Sequence, residues 1–294
     1  MKLAAVDIGS NAARLLISEA SVDENNKVSF TKLSFVRVPI RLGFDVFETG
    51  KISDRKINLL LHTIKGFLHI CHAYEINSVK ICATSAMRDA TNSKEVISFI
   101  KEETGAEIEV ISGSEEASLV FENHIAENMD KQNSYLYIDV GGGSTELTFF
   151  SNNTMVFKDS FRIGTIRLLQ DHVGETEWDE MKETIKVKTK GFKNIVAIGS
   201  GGNINKIFSL SKRKDGKPLS LELLRDYYKE LNSVSLSERI RLYKLKEDRA
   251  DVIVPALKIY ITAMRWADAT EIFVPRIGLA DGLIQHLWYH RKMD

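Results

Sequence analysis

AVDIGSNAARLL (residues 5–16) and YIDVGGGSTELTFF (residues 137–150) decide the reading of this 294-residue chain. Each runs as a strand ending in aspartate, a glycine loop, then a second strand. Such a loop turns where side chains would clash and aims backbone N–H groups at one spot, which suits an anion such as phosphate. Asp7 and Asp139 stand beside the loops. A carboxylate next to bound phosphate is repelled, and a hard divalent cation between the two removes the conflict.

The two aspartates are 132 residues apart, close to the length of one domain, so the chain reads as two related halves with a phosphate site expected between them. Taken singly, either loop is equally well a β-hairpin, because glycine and asparagine are ordinary turn residues. A second copy, with Ser144, Thr145 and Glu146 following three glycines, tells against that.

The length suits two cores better than one. Hydrophobic residues make up 44% and charged residues 27%, and no apolar run approaches the roughly 20 residues of a membrane span. The expectation is a cytoplasmic chain without a signal peptide or membrane contact. Cys71 and Cys82, the only cysteines, lack metal-ligand spacing and read as buried free thiols. A net charge of zero argues against a coat for long polyanions, so neither DNA nor RNA is expected, although a local basic site remains possible.

Along the chain, residues 3–7, 14–19 and 28–37 read as strands. A helix capped by Ser53 runs to about Tyr74, then come strand 78–85, a helix closed by Gly105, and strand 106–112. Three strands followed by helix, strand, helix, strand is the order of a ribonuclease-H-like half. A helix starting near Ser114 and running to residue 129 leads into the second half, with strands at 135–140, 144–150 and 154–163. Helices at 165–173 and 177–190, strand 194–200 and a helix opened by Gly201 and Gly202 follow. Beyond a basic loop the pattern is helical to Trp266, broken near Leu219 and Glu247. A strand at 270–277 and a helix at 279–293 end the chain, that helix packing back on the first half. The domain expectation is 1–121 with about 283–294, and 122–282.

Arg88 follows a strand end, a usual ligand position in α/β folds, and arginine grips phosphate through two parallel bonds; the other reading is a solvated surface arginine. Glu115 and Glu116 open a helix, where acidic residues are favoured by the macrodipole and by capping, so composition alone leaves a catalytic role open. His62, His69 and His72 share a helix face without a carboxylate or cysteine partner.

These features resemble the exopolyphosphatase and guanosine pentaphosphate phosphohydrolase family, of the actin, Hsp70 and sugar-kinase superfamily. The resemblance runs through AVDIGSNAARLL, VPIRLG, ATSAMRDATN, VISGSEEASLVF, YIDVGGGSTEL, FRIGTIRL, RADVIVPALKIY and GLADGLI, in order and over nearly the whole chain. It implies an α/β fold of two ribonuclease-H-like domains with an interdomain cleft. By resemblance, Glu116 would be the base that activates water, and Asp139 and Glu146, with Asp7, would hold Mg2+. Gly9, Ser10, Asn11, Gly142, Gly143, Ser144, Thr145, Gly201 and Asn203 would cradle phosphates, and Arg88 would grip the departing group. The implied substrate is polyphosphate or a guanosine polyphosphate, and the implied assembly a homodimer.

One departure stands out. AIGSGGNINKI (residues 197–207) has Gly202 and Asn203 where the family has glycine and threonine, which bears on contacts to the distal phosphates. The resemblance is also to the short family type, which implies less processive handling of long chains. Two other readings follow: a module that binds alarmone nucleotide without turnover, and a small-molecule kinase of the same superfamily, since fold alone does not determine chemistry.

Overall fold

Apolar residues fill KLAAVDI almost without interruption, and a strand of that kind belongs in mid-sheet with both faces covered. It forms β1 (Lys2–Ile8), buried from Leu3 to Ile8. The computed structural model describes residues 1–76, 78–121, 133–152, 154–275 and 277–290. The chain divides into two units, Met1–Asn123 with Leu279–Asp294, and His124–Gly278.

In the first unit β1 is followed by β2 (Ala13–Val22), β3 (Val28–Val38), α1 (Leu42–Thr49), α2 (Asp54–Ala73), β4 (Val79–Ala83), α3 (Ser85–Asp89), α4 (Ser93–Thr104), β5 (Ile108–Val110) and α5 (Gly113–Phe121). The sheet order is β3-β2-β1-β4-β5, antiparallel across β3, β2 and β1 and parallel across β1, β4 and β5.

The second unit holds β6 (Ser134–Val140), β7 (Thr145–Ser151), β8 (Thr154–Phe161), α6 (Thr165–Leu169), α7 (Glu175–Lys188), β9 (Ile195–Ser200), α8 (Gly202–Leu210), β10 (Leu219–Ser220), α9 (Leu221–Asn232), α10 (Leu236–Tyr243), α11 (Glu247–Ala250), α12 (Ile253–Trp266) and β11 (Glu271–Phe273). Its order, β10-β11-β9-β6-β7-β8, repeats the first sheet with β6 in the place of β1, plus the short antiparallel edge β10. Both units are therefore ribonuclease-H-like. Its core lies around α12, whose Ile253, Leu257, Tyr260 and Met264 are buried with Leu136, Ile138 and Phe149.

The last helix, α13 (Leu279–Tyr289), belongs to the first unit. Its Leu279, Leu283, Ile284 and Trp288 pack with Leu3, Ala5, Leu16 and Cys82. Trp288 meets Phe30 edge-on at 6.3 Å, and Lys32 pairs with Asp281 at 2.6 Å.

Three local expectations need correction. Residues 42–49 form α1, which the pattern does not announce because no side chain caps it and Arg41 enters with φ of 52°. Arg88 sits not directly after a strand but on the one-turn helix α3. A further break separates α9 from α10, where Ser235 and Glu238 form a capping box. Residues 122–129 of the connecting helix and 291–293 of the last helix lie outside the described residues.

Candidate active site

The two glycine loops have the same construction. The Gly9 amide donates to the Ala12 carbonyl at 3.1 Å, and the Gly141 amide to the Ser144 carbonyl at 2.9 Å. Each loop leaves the carboxyl end of the central strand. Parallel neighbours place further loops at that same edge, a usual ligand position in α/β sheets.

In the first unit, Ile8 registers with Ala83 and Ala83 with Val110, so residues 9–12, 84–88 and 111–116 follow three adjoining strand ends. Gly9, Ser10 and Asn11 are strapped by the start of α1: the Arg41 amide donates to the Asn11 carbonyl at 3.0 Å and the Gly43 amide to that of Ser10 at 2.8 Å. The Ser10 and Ser85 hydroxyls, both buried, share a hydrogen bond of 2.8 Å. Arg88 Nη1 donates to the Ile111 carbonyl at 2.9 Å, tying α3 to the segment that leads into α5.

Glu115 and Glu116 have separate surroundings. The Ser112 amide donates to Glu115 Oε2 at 2.7 Å and the Glu115 amide to Ser112 Oγ at 3.1 Å, a reciprocal cap on α5. Glu115 is exposed and spent on that cap, whereas Glu116 is half-buried.

Asp7 has a partner that the sequence reading did not anticipate. It lies directly across from Arg14 in the β1–β2 ladder, and Arg14 Nη1 forms an ion pair with Asp7 Oδ2. The matching position in the second unit sets Asp139 across from Glu146. There two carboxylates face each other, with oxygens within 4.8 Å. At an effective dielectric constant of about 20 such a pair repels by roughly 3 kcal/mol. Ser144 Oγ donates to Glu146 Oε1 at 2.6 Å and Ser160 Oγ to the same oxygen at 2.9 Å. This all-oxygen set suits a hard divalent cation.

The loop around these carboxylates is held by residues that sequence reading left without roles. The Thr165 and Ile166 amides donate to the Gly141 and Gly142 carbonyls at 3.0 and 2.9 Å. The buried Arg167 gives Nε to the Gly143 carbonyl at 2.7 Å. Gly164 lies so close that a β-carbon there would stand 2.4 Å from the Gly142 carbonyl oxygen. FRIGTIRL (residues 161–168) thus clamps the second glycine loop, and its lone glycine before a helix was the available signal. Thr145, fully buried, donates its hydroxyl to the Ile163 carbonyl at 2.5 Å and so shapes the loop through its side chain.

At the end of β9, Gly201 has φ of 108° and a β-carbon there would lie 3.2 Å from Asp139 Oδ1. Glycine permits the backbone both that conformation and that approach. Arg249 Nη1 donates to the Gly202 carbonyl, and the Tyr260 hydroxyl to that of Ser200. Burial, and then the negative charge of Asp139, holds the Tyr260 phenol well above its ordinary range, so it remains a donor. Asn203 occupies the first turn of α8. His62, His69 and His72 form no three-ligand cluster among the described residues.

A family-wide sequence profile, the Ppx/GppA phosphatase family, matches residues 21–289 and so begins after the first glycine loop. A bifunctional 3-dehydroquinate synthase/phosphatase of Fusobacterium nucleatum is 30% identical over 244 residues, 82% of this chain but 35% of that relative's length. Exopolyphosphatase 1 of Mycobacterium tuberculosis is 24% identical across the whole chain and 89% of its own. Among solved structures, an exopolyphosphatase from Cytophaga hutchinsonii superposes with a TM-score of 0.84 at 24% identity, covering 99% of both chains. No described helix is long and apolar enough to cross a membrane.

Proposed function

This chain belongs to the Ppx/GppA phosphatase family, and we propose that it is a magnesium-dependent phosphohydrolase that removes the terminal phosphate of inorganic polyphosphate. The observation that carries this is the pairing of Asp139 with Glu146 beside a clamped glycine loop. Two opposed carboxylates next to an anion-binding turn make chemical sense when a cation offsets both.

Asp139 and Glu146 would hold Mg2+, which when bound supplies positive charge against the phosphate oxygens. Glu116 accepts the proton of the attacking water, a new bond forms between that oxygen and the terminal phosphorus, and the phosphoanhydride bond breaks. Orthophosphate and a chain shorter by one phosphate leave. Backbone N–H groups of Gly142, Gly143 and Ser144, and of Ser10 and Asn11, position phosphate oxygens, with Gly9 closing the first loop through its own bond to Ala12 and with Gly201 and Asn203 at the end of β9. Arg88 takes charge on the departing group. Such a division of labour suits phosphoryl transfer, where the protein mainly positions reactants and balances charge. Guanosine pentaphosphate is the second donor in this reading, and a homodimer, checked by light scattering, is its assembly.

Phosphate release from polyphosphates of several lengths, pppGpp and nucleoside triphosphates, with and without Mg2+, tests the reaction. No release from any donor in Mg2+ would sink it. The base is tested by comparing neighbours. Glu116→Gln should lower turnover roughly a hundredfold to ten-thousandfold, while Glu115→Gln, whose amide oxygen still accepts from Ser112, loses only a charge interaction at the helix start of about 0.3–1 kcal/mol and keeps most activity. Equal losses would remove Glu116 from the role.

A further inference from the structure

We propose that a basic groove in the second unit, at the amino-terminal edge of β9, binds linear phosphate chains separately from the glycine loop at the strand's other end. The groove has a volume of about 1030 Å³ and is lined by Lys182, Lys186, Lys190, Lys193 and Arg265. Three segments bring these cations together. Lys182 and Lys186 lie one turn apart on α7, Lys190 and Lys193 precede β9, and Arg265 is in the last turn of α12. From Ile195 to Ser200, β9 spans about 17 Å at the usual rise of a strand, so the groove is not part of the Gly201 loop.

The bland reading is that these side chains merely complement the carboxyl ends of α7 and α12. Each helix end carries about half a negative charge, and the effect fades beyond the last turn. Two helix ends together with Asp179 and Asp268, the acids of the lining, offset about three of the five cations. A surplus of about two charges remains in a chain whose net formal charge is zero. Lys190 and Lys193 also lie past the end of α7 at Lys188, where the dipole does not account for them. Lys182 reaches Asp179 only at 3.7 Å; among the described residues, none of Lys186, Lys190, Lys193 and Arg265 forms an ion pair. Like charges one helical turn apart, as at Lys182 and Lys186, are mildly unfavourable to the fold. A bound polyanion supplies what they lack.

Phe192, 37% exposed, and Trp266 add ring surface to the lining, so the phosphate chain could be inorganic or carry a nucleoside. Choosing phosphate over other polyanions rests on the phosphohydrolase reading; the groove's charge does not. The experiment uses the full chain in a chelator, so that ligands stay intact and binding is read without turnover. Lys186→Glu/Lys190→Glu/Arg265→Glu is compared with the unaltered protein for long-chain polyphosphate, a nucleoside tetraphosphate and a single-stranded RNA of matched charge. Affinity for the polyphosphate or the tetraphosphate should fall at least tenfold, and the plot of log affinity against log salt should become shallower by about two to three. Whichever of the two falls identifies the source of the phosphate chain. Lys186→Gln/Lys190→Gln should give a smaller change of the same sign and covers the case in which charge reversal unfolds the protein. Unchanged affinity and slope would overturn the groove, and RNA bound as tightly and lost equally would overturn its assignment to phosphate chains. Groove-dependent binding by a chain that never releases phosphate would support the groove and refute the hydrolase.

Discussion

Asp139 and Glu146 stand directly opposite each other in the β6–β7 ladder, at the register position where the first unit sets an acid against a base. The two units repeat one topology but not one electrostatic solution. In the first, Arg14 neutralises Asp7 from within the fold. In the second, an acid faces an acid, and the proposed cation site rests on that arrangement.

That difference predicts opposite responses to metal. Glu146→Gln removes one of two repelling charges yet keeps an oxygen for Ser144 and Ser160. Without metal the variant should be more stable than the parent by up to about 1 kcal/mol, the scale of a cross-strand pair. In Mg2+ the order should reverse, because only the parent gains binding energy. Thermal melts with chelator and with Mg2+ check both arms, and a parent insensitive to Mg2+ would refute the assignment. Asp139→Asn should behave alike and lose activity.

Arg14 should matter to folding. Removing one member of a buried ion pair leaves the other charge stranded, at about 3–5 kcal/mol. Arg14 keeps 29% of its side chain in contact with solvent while Asp7 keeps 5%, so Arg14→Gln should cost roughly 2–3 kcal/mol, below that range. Asp7→Asn added to it should restore much of the loss. Urea titrations of Arg14→Gln, of Asp7→Asn alone and of the double variant give the coupling, and a double variant no better than Arg14→Gln would refute it.

Gly164→Ala tests the clamp. Its β-carbon would stand 2.4 Å from the Gly142 carbonyl oxygen and 2.5 Å from the carbonyl carbons of Gly142 and Gly143, so the loop must move. Overpacking of this kind costs about 1–3 kcal/mol, and displacing an anion site by a fraction of an ångström should cost more in turnover than in stability. Melting temperature and kcat, measured together, should show a small drop in the first and a drop of roughly a hundredfold in the second.

A pH dependence follows from the thiols. Burial pushes Cys71 up to about 11 and Cys82 up to about 12 from an ordinary 9.0. The unfolded chain therefore releases these protons first. The stability they contribute is complete below pH 9 and is lost as pH climbs towards 11–12. Urea midpoints between pH 8 and pH 11 should fall less steeply in Cys71→Ala/Cys82→Ala than in the parent.

Much of this was legible in the sequence, for identifiable reasons. Strand β1 is a continuous apolar run, and Gly105 closes α4 with φ of 72°, a conformation glycine adopts at no cost. The two aspartate-glycine turns stood out because their chemistry recurs. Arg14 did not, since an arginine just after a turn looks like surface until the register sets it against Asp7. Arg167 and Gly164 were hidden for a similar reason: their partners are backbone carbonyls more than twenty residues away, which leave no trace in side-chain pattern. Helix α1 was missed because it enters from a left-handed Arg41 without a capping side chain.

The return of α13 to the first unit has a consequence during synthesis. Leu3, Ala5, Leu16 and Cys82 are covered by Leu283, Ile284 and Trp288, which a ribosome adds only after all 155 residues of His124–Gly278. At about 5–20 residues per second, that apolar face waits roughly 8–30 s for its cover. The second unit, contiguous in sequence, has no such wait, so the half that is begun first is the half that is completed last. A nascent chain stalled before Leu279 should bind chaperones through the face of β1, and release it once α13 clears the exit tunnel.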